Sequence, residues 1–363
     1  MKNPKINCML LCEIGSIKKV KNNLKTTIDD IAKMAGVSKS TVSRALNGTG
    51  YISKEKKKKI LELVKLHNYV PDSKAVNLSK NRTMTIGLVL PSVEGPFYGE
   101  VIQGVEEVLS ENRYFTLFMT ESNAPEKNRE RYISLISSGR IDGIIIFDPQ
   151  VDDQTVEKVM KSEIPVVYLG EDIHGTNVDT ILVDNFNGAY SMTEHLIKVH
   201  KHERIAFITG PAQSFDSVER LRGYKYALER YGIKFDTNLV CRGDFTKSGG
   251  KDAVEKCLSS GATAIFAAND EMALGVIEEL ERRRINPGKE IAVAGFDDVF
   301  WSRYIRPPLT TVHQPMHSIG KMAAKMILDR INSRDIVKSP MRIVLSTRLI
   351  VRNSCGCKTD LTN

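Results

Sequence analysis

The 363-residue sequence is short of the features that mark enzymes, exported proteins and membrane proteins. It has no Walker loop, no HExxH and no G-x-S-x-G, and no motif pairs a nucleophile with a base, so no enzyme activity is expected and no cofactor is implied. The early apolar run CMLLC, residues 8–12, is too short for a signal-peptide core or a membrane span. The six cysteines, at 8, 12, 241, 257, 355 and 357, are scattered and show no disulfide framework, which makes a reducing cytoplasm the expected location. His195, His200 and His202 lie five and two residues apart and do not share a helical face, so no metal site is expected from them. Cys355 and Cys357 read as the edge of a flexible tail, 356–363. There is no low-complexity tract and no strict repeat. No heptad tail follows Val351, which leaves dimer and tetramer both open.

What is present is ordinary globular material, 41% hydrophobic and 26% charged, in a chain long enough for two or three domains. The charge is unevenly placed. Residues 1–83 hold 18 Lys and Arg against 6 Asp and Glu, a net of +12; the remainder holds 34 against 38, a net of −4. A basic head on a slightly acidic body points to a polyanion-binding module attached to a separate machine.

Residues 1–25 read as a disordered extension, and the pattern sharpens from Thr26. Thr27 followed by Asp30 fits a helix start, and Ile28, Ile31, Ala32 and Ala35 form one apolar stripe. Gly36 ends that helix and Ser38 can cap the next. A third amphipathic helix spans about Lys54 to Leu66, with Ile60, Leu63, Val64 and His67 at core spacing, until Pro71 breaks it. The polar bridge 73–83 separates this helical domain, 26–72, from a body at 84–355 with a different rhythm. TIGLVLP, YFTLFMT, IDGIIIFD, IPVVYLG, TILVDN, RIAFITG, ATAIFAAN and IAVAGFDD are nearly continuous apolar runs, most of them separated by amphipathic segments. That alternation predicts parallel, doubly wound sheets in two α/β lobes. Lobe one is expected at about 84–182 and 313–340, lobe two at about 183–312 and 341–355.

The first two helices, joined by the tight AGVS turn, have helix-turn-helix spacing. On a wheel with Val42 at zero, Leu46 and Ala45 fall on the packed side. Ser43, Asn47, Ser40 and Arg44 span an exposed arc from about 100° to about 200°. Small hydroxyls and amides allow close approach to base edges, and an Arg there can bond guanine bidentately. Lys39 sits nearer the packed edge but is long enough to reach out.

TTIDDIAKMAGVSKSTVSRALNG resembles the headpiece of the lactose-repressor (LacI/GalR) family of bacterial transcription regulators. The likeness continues through IGLVLP, DGIII, DEMALGVIEEL, GFDD and PPLTTVHQP, covering about Thr26 to Val351. It implies that Lys39, Ser40 and Arg44 read bases of a double-stranded operator while Thr27, Thr41 and Ser43 hold phosphates. It also implies that KAVNL is a hinge helix whose Leu78 wedges into the minor groove. Val76 and Asn77 depart from the Arg or Gln and small residue that many members carry there, which removes the usual polar contact at position 76.

Ligands of open α/β sheets bind beyond the carboxyl ends of the strands, where Ser92, Asp148, Asn269 and Asp297 fall. The body resembles periplasmic sugar-binding proteins. The family likeness implies that Arg220, three residues before Gly223, binds effector, that Phe245 stacks on it, and that Asn269 and Asp297 make polar contacts. Phe97 and Tyr98 match a stretch lining the pocket from the first lobe. The alternatives are a surface ion pair for Arg220, a core position for Phe245 and a turn cap for Asp297.

The implied protein is a cytoplasmic, homodimeric repressor with a helix-turn-helix headpiece, a periplasmic-binding-protein-like core and a carbohydrate effector between the lobes. A protein co-effector and a transporter's solute-binding protein are the rival readings. The basic helical head and the missing export signal speak against the last. Arg44→Ala is expected to relax base preference at one pair in each half-site and to cost about 1–3 kcal/mol, measured by titrating operator variants. Unchanged affinity and preference would return this helix to an ordinary solvated face.

Overall fold

A computed structural model describes residues 26–47, 50–69, 82–92, 95–120, 125–147, 164–170, 178–333 and 339–358. The chain divides into two compact units, 1–81 and 82–363. Val76, Asn77, Leu78 and Asp148 lie outside the described residues, as do 1–25 and most of the bridge at 73–83. Among the described residues no helix is long and apolar enough to cross a membrane.

The described residues of the first unit form three helices: α1 (Ile28–Ala35), α2 (Lys39–Asn47) and α3 (Lys54–Leu66). Thr27 and Asp30 form a capping box. The Asp30 N–H donates to Thr27 Oγ1 at 3.3 Å, and the Asp30 carboxylate accepts the Thr27 N–H at 2.9 Å. Gly36 ends α1 with φ +71, a left-handed turn that favours glycine. Ser38 Oγ then accepts the Thr41 N–H at 3.2 Å and starts α2. The helices close on Ile31, Ala32, Ala35, Val42, Ala45, Ile60 and Tyr69, with Leu46, Leu63 and Val64 partly buried around them. His67, expected at core spacing, is exposed. The helix stops at Leu66, so its periodicity ends there; Asn68 turns the chain at φ +46 and Tyr69 fills the core instead.

The described residues of the second unit form two parallel sheets. The first has strand order β11-β5-β4-β3-β1-β2, from β1 (Thr85–Leu90), β2 (Phe115–Thr120), β3 (Gly143–Ile146), β4 (Val166–Leu169), β5 (Asp179–Val183) and β11 (Arg342–Leu345). The second has order β7-β6-β8-β9, from β6 (Ile205–Thr209), β7 (Val240–Arg242), β8 (Ala264–Ala267) and β9 (Ala292–Ala294). All eight apolar runs read from the sequence are strands. Short β10 (Thr311–His313) and β12 (Arg348–Ile350) form an antiparallel ribbon.

Among the described residues, the helices of this unit are α4 (Pro96–Glu111), α5 (Pro125–Ser137), α6 (Asn185–Lys198), α7 (Phe215–Arg230), α8 (Lys247–Ser259), α9 (Asp270–Arg282) and α10 (Met316–Asn332). The chain passes between the lobes at Val183–Asn185, His313–Met316 and Leu345–Arg348. Within the segment 341–355 expected in lobe two, residues 342–345 lie instead in the first sheet. β11 pairs in parallel with β5, and the Asp179 carboxylate, gripped by Arg330, also accepts the Met341 N–H at 2.8 Å. That anchor draws the following residues onto the edge of the first sheet.

Helices α4 and α10 cross at backbone contact. A Cβ on Gly104 would lie 2.1 Å from the His317 carbonyl oxygen, and one on Gly320 would lie 2.2 Å from that of Val101. The atoms in the way are backbone, so no side-chain rotation relieves them. Gly104→Ala is expected to push the helices apart and destabilise lobe one by about 1–3 kcal/mol, read as a lower denaturation midpoint. An unaltered midpoint would mean the crossing is slack.

Candidate nucleic-acid interface and effector-binding residues

On the first unit, the apolar side of α2 faces the core through Val42 and Ala45, which leaves the opposite side outward. Lys39 pairs with Asp29 at 2.7 Å across the turn, and its side chain is still 64% exposed. Ser38 Oγ lies 2.7 Å from Ser40 Oγ and 2.9 Å from Thr41 Oγ1, so these hydroxyls sit in one hydrogen-bonded cluster at the start of α2. Ser43 is half-buried and Arg44 exposed, with the Arg44 stem packed over Gly50. Asn47 closes the helix. The Thr27 hydroxyl donates to Asp30 at 2.7 Å, so a phosphate would have to displace that carboxylate to reach it. Burial pattern also exposes a basic row that motif reading passed over: Lys54, Lys56, Lys57, Lys58, Lys59 and Lys65 of α3 are all in solvent. Their signal in the sequence was the KKKK run itself.

On the second unit, the expected effector residues of lobe two converge at the carboxyl edge of its sheet. Arg220, on α7, is 2% exposed, which excludes the surface ion pair. Its Nε donates to Asn185 Oδ1 at 2.7 Å and its Nη1 to the Ala268 carbonyl at 2.5 Å. Asp297 Oδ1 lies 3.5 Å and Asp216 Oδ2 3.8 Å from the guanidinium, which stacks 4.0 Å from the centre of the Phe296 ring. Asn185, Asp216 and Phe296 were not read from the sequence, since nothing in their local spacing sets them apart. Asn269 caps α9 through the Met272 N–H and donates to the Phe245 carbonyl at 2.9 Å. It thereby holds the loop that presents Phe245. That residue is half-buried at φ +66, and its ring lies flat on Gly210, where a Cβ would come within 2.2 Å of it. Asp297, at φ +128 beyond β9, accepts from Gln314 Nε2 at 2.6 Å.

In lobe one, Phe97 and Tyr98 open α4, with Ser92 half-buried just beyond β1. Their rings gather with that of Phe147, which follows β3, at centroid distances of 5.1, 5.6 and 6.0 Å. Phe147 was missed, although it ends the IIIF run. The next turn of α4 carries Glu100. Its carboxyl is raised by burial while sensing His313, Asp298, His317 and Arg303, so the start of α4 lies close to the loop after β9.

Two other segments are more ordered than local spacing suggests. The Cys355 side chain is 1% exposed in the lobe-two core, and Cys357 packs against that core, so the CGC segment is folded rather than a loose tail. His195 and His200 also come together, with ring centroids 5.2 Å apart. His200 lies beyond the end of α6, so helical spacing does not govern it.

A profile described as "Bacterial regulatory proteins, lacI family" matches residues 27–72, and one described as "Periplasmic binding protein-like domain" matches residues 193–355. The chain is 34% identical over 314 residues to the HTH-type transcriptional repressor PurR of Aliivibrio fischeri, covering 85% of this chain and 93% of that protein. It is similar to the solved transcriptional regulator CelR–cellobiose complex, at 32% identity and TM-score 0.69, and to the Lac repressor dimer bound to operator and the anti-inducer ONPF, at 26% and 0.80. Each match covers 91% of this chain and 99% of the other.

Burial raises the Asp297 carboxyl to about 7, against the lowering pull of Arg220 and of the Gln314 hydrogen bond. The folded state therefore holds that proton more tightly than the unfolded chain, whose carboxyl titrates near 3.8. The resulting contribution to stability is full below about 4 and is lost as pH rises towards 7. Asp297→Asn is expected to flatten this decline in melts between pH 4.5 and about 7.5. A residual slope should remain from Asp216 and Asp270, which burial also raises. An identical slope in the variant would remove Asp297 from the account.

Proposed function

This chain belongs to the lacI family of bacterial regulatory proteins and is a DNA-binding transcription regulator; we propose that it is a cytoplasmic repressor controlled by a sugar or sugar derivative. Two headpieces of a homodimer grip a pseudo-palindromic operator, with Lys39, Ser40, Arg44 and Asn47 towards base edges and Thr27, Thr41 and Ser43 towards phosphates. Leu78 enters the minor groove at the centre. The exposed lysines of α3 add a sequence-independent term.

The observation that carries the effector reading is the cluster around Arg220. A buried guanidinium beside Asp216 and Asp297, next to an aromatic face from Phe245, offers donors and acceptors to vicinal hydroxyls and an apolar wall to ring C–H groups. Phe97, Tyr98, Ser92 and Asp148 contribute from lobe one, and Asn269 supports Phe245. A ligand bound better by one arrangement of the lobes shifts the population towards it. The separation of the two hinge segments, and hence operator affinity, follows that shift.

Calorimetry with a panel of sugars, sugar phosphates and nucleobases tests this reading alongside operator titrations. One carbohydrate class should release heat and shift operator affinity by about 5–150-fold, with operator binding falling steeply as salt rises. Arg220→Met should lose the heat while leaving salt-dependent operator binding in place. Heat from a protein partner alone would replace the sugar with a protein co-effector. Heat from nucleobases alone would move the site to a different ligand class.

A further inference from the structure

Residues of lobe two that no sugar or DNA contact uses make a second polar cluster at the opposite edge of its sheet. His195 lies in the last turn of α6, and His200 follows that helix, five residues before β6. His202 bonds Thr263, just ahead of β8, through Nδ1 at 2.9 Å. Cys355 and Cys357 arrive from residues more than 150 positions later, after β12. Gly356 between them has φ +97, a backbone form that favours glycine and lets both sulfurs point the same way.

His195 Nε2 lies 3.5 Å from Cys355 Sγ and 3.8 Å from Cys357 Sγ, and His200 Nε2 lies 3.2 Å from Cys357 Sγ. All four ligand atoms fall within 4.8 Å of one another. A tetrahedral zinc ion with Zn–S of about 2.3 Å and Zn–N of about 2.0–2.1 Å holds its sulfur and nitrogen ligands about 3.5 Å apart. The observed spacings bracket that value. We propose that His195, His200, Cys355 and Cys357 form a structural zinc site that fastens residues 352–358 to the carboxyl end of α6.

The surroundings suit that ion. Two thiolates and two neutral imidazoles make a set that selects zinc over harder cations, and four protein ligands leave no open position for catalysis. The Thr310 hydroxyl donates to Cys355 Sγ at 3.1 Å, and the His202 ring stacks against His200 at 5.9 Å, an outer layer that orients the ligands. Binding Zn²⁺ releases the two thiol protons to solvent, forms two Zn–S and two Zn–N bonds, and changes no oxidation state. A disulfide between Cys355 and Cys357 would use the same sulfurs but gives no reason for two histidine nitrogens to converge on them.

The test uses the full chain purified under reducing conditions. Zinc content by mass spectrometry should approach about one ion per chain. Titration of the stripped protein with Co²⁺ should give tetrahedral d–d absorption with thiolate-to-cobalt charge transfer. Cys357→Ser and His200→Asn, at half-buried positions, should lower metal affinity at least about 10-fold with the fold intact by circular dichroism. Chelation should lower the melting midpoint of the parent but not of the variants. Less than about a tenth of an ion per chain after incubation with zinc would overturn the proposal. So would an unchanged cobalt spectrum in both variants, or recovery of a Cys355–Cys357 disulfide from the reduced preparation. Operator binding is not among these readouts, so the regulatory reading stands or falls separately.

Discussion

A guanidinium taken out of water must find partners, and Arg220 takes its partners from four segments of lobe two. They are the start of α6 through Asn185, its own helix through Asp216, the end of β8 through Ala268 and the loop beyond β9 through Asp297. The desolvation of such a group costs several kcal/mol, which the interactions offset only if every partner is in place. Arg220 therefore fixes the geometry of the carboxyl edge of that sheet. Gln314, which leads from β10 into α10, bonds Asp297 and so brings one lobe crossing into the same network. A ligand that changed how Asp297 is held would act, through Gln314, on a segment that leads directly into the first lobe.

The two units answer different physical demands. The headpiece has a small core, and its helices depend on caps and tight turns such as the Thr27–Asp30 box and Gly36. That economy leaves one side of α2 and a lysine row on α3 in solvent, which suits binding a polyanion. The body buries strands on both faces and brings glycines into backbone contact at the α4–α10 crossing, which suits two lobes that keep their internal packing. At opposite edges of the second sheet the chain places its two polar clusters, one around Arg220 and one around His200. Helix α6 runs from the first, at Asn185, towards the second, at His195.

Local pattern alone determined much of this protein. The capping pair, the apolar stripe, Gly36 and the strand runs were legible because each depends on neighbours within one turn or one strand. So was the outward arc of α2, since helical period decides which side faces a core. The family likeness singled out Arg220, Phe245, Asn269 and Asp297, and the fold brings these four together. Tertiary structure alone decided the rest, where residues far apart in sequence compete for the same space. His67 lost its core place to Tyr69 because the helix ended first. Residues 342–345 joined the first sheet because Asp179 and β5 offered an edge. Asn185, Asp216 and Phe296 became partners of Arg220 through packing that no spacing announces. His195, His200, Cys355 and Cys357 carried no recognisable motif, because the chain between them is the greater part of a lobe. Only the folding of that lobe carries the thiols back to the imidazoles.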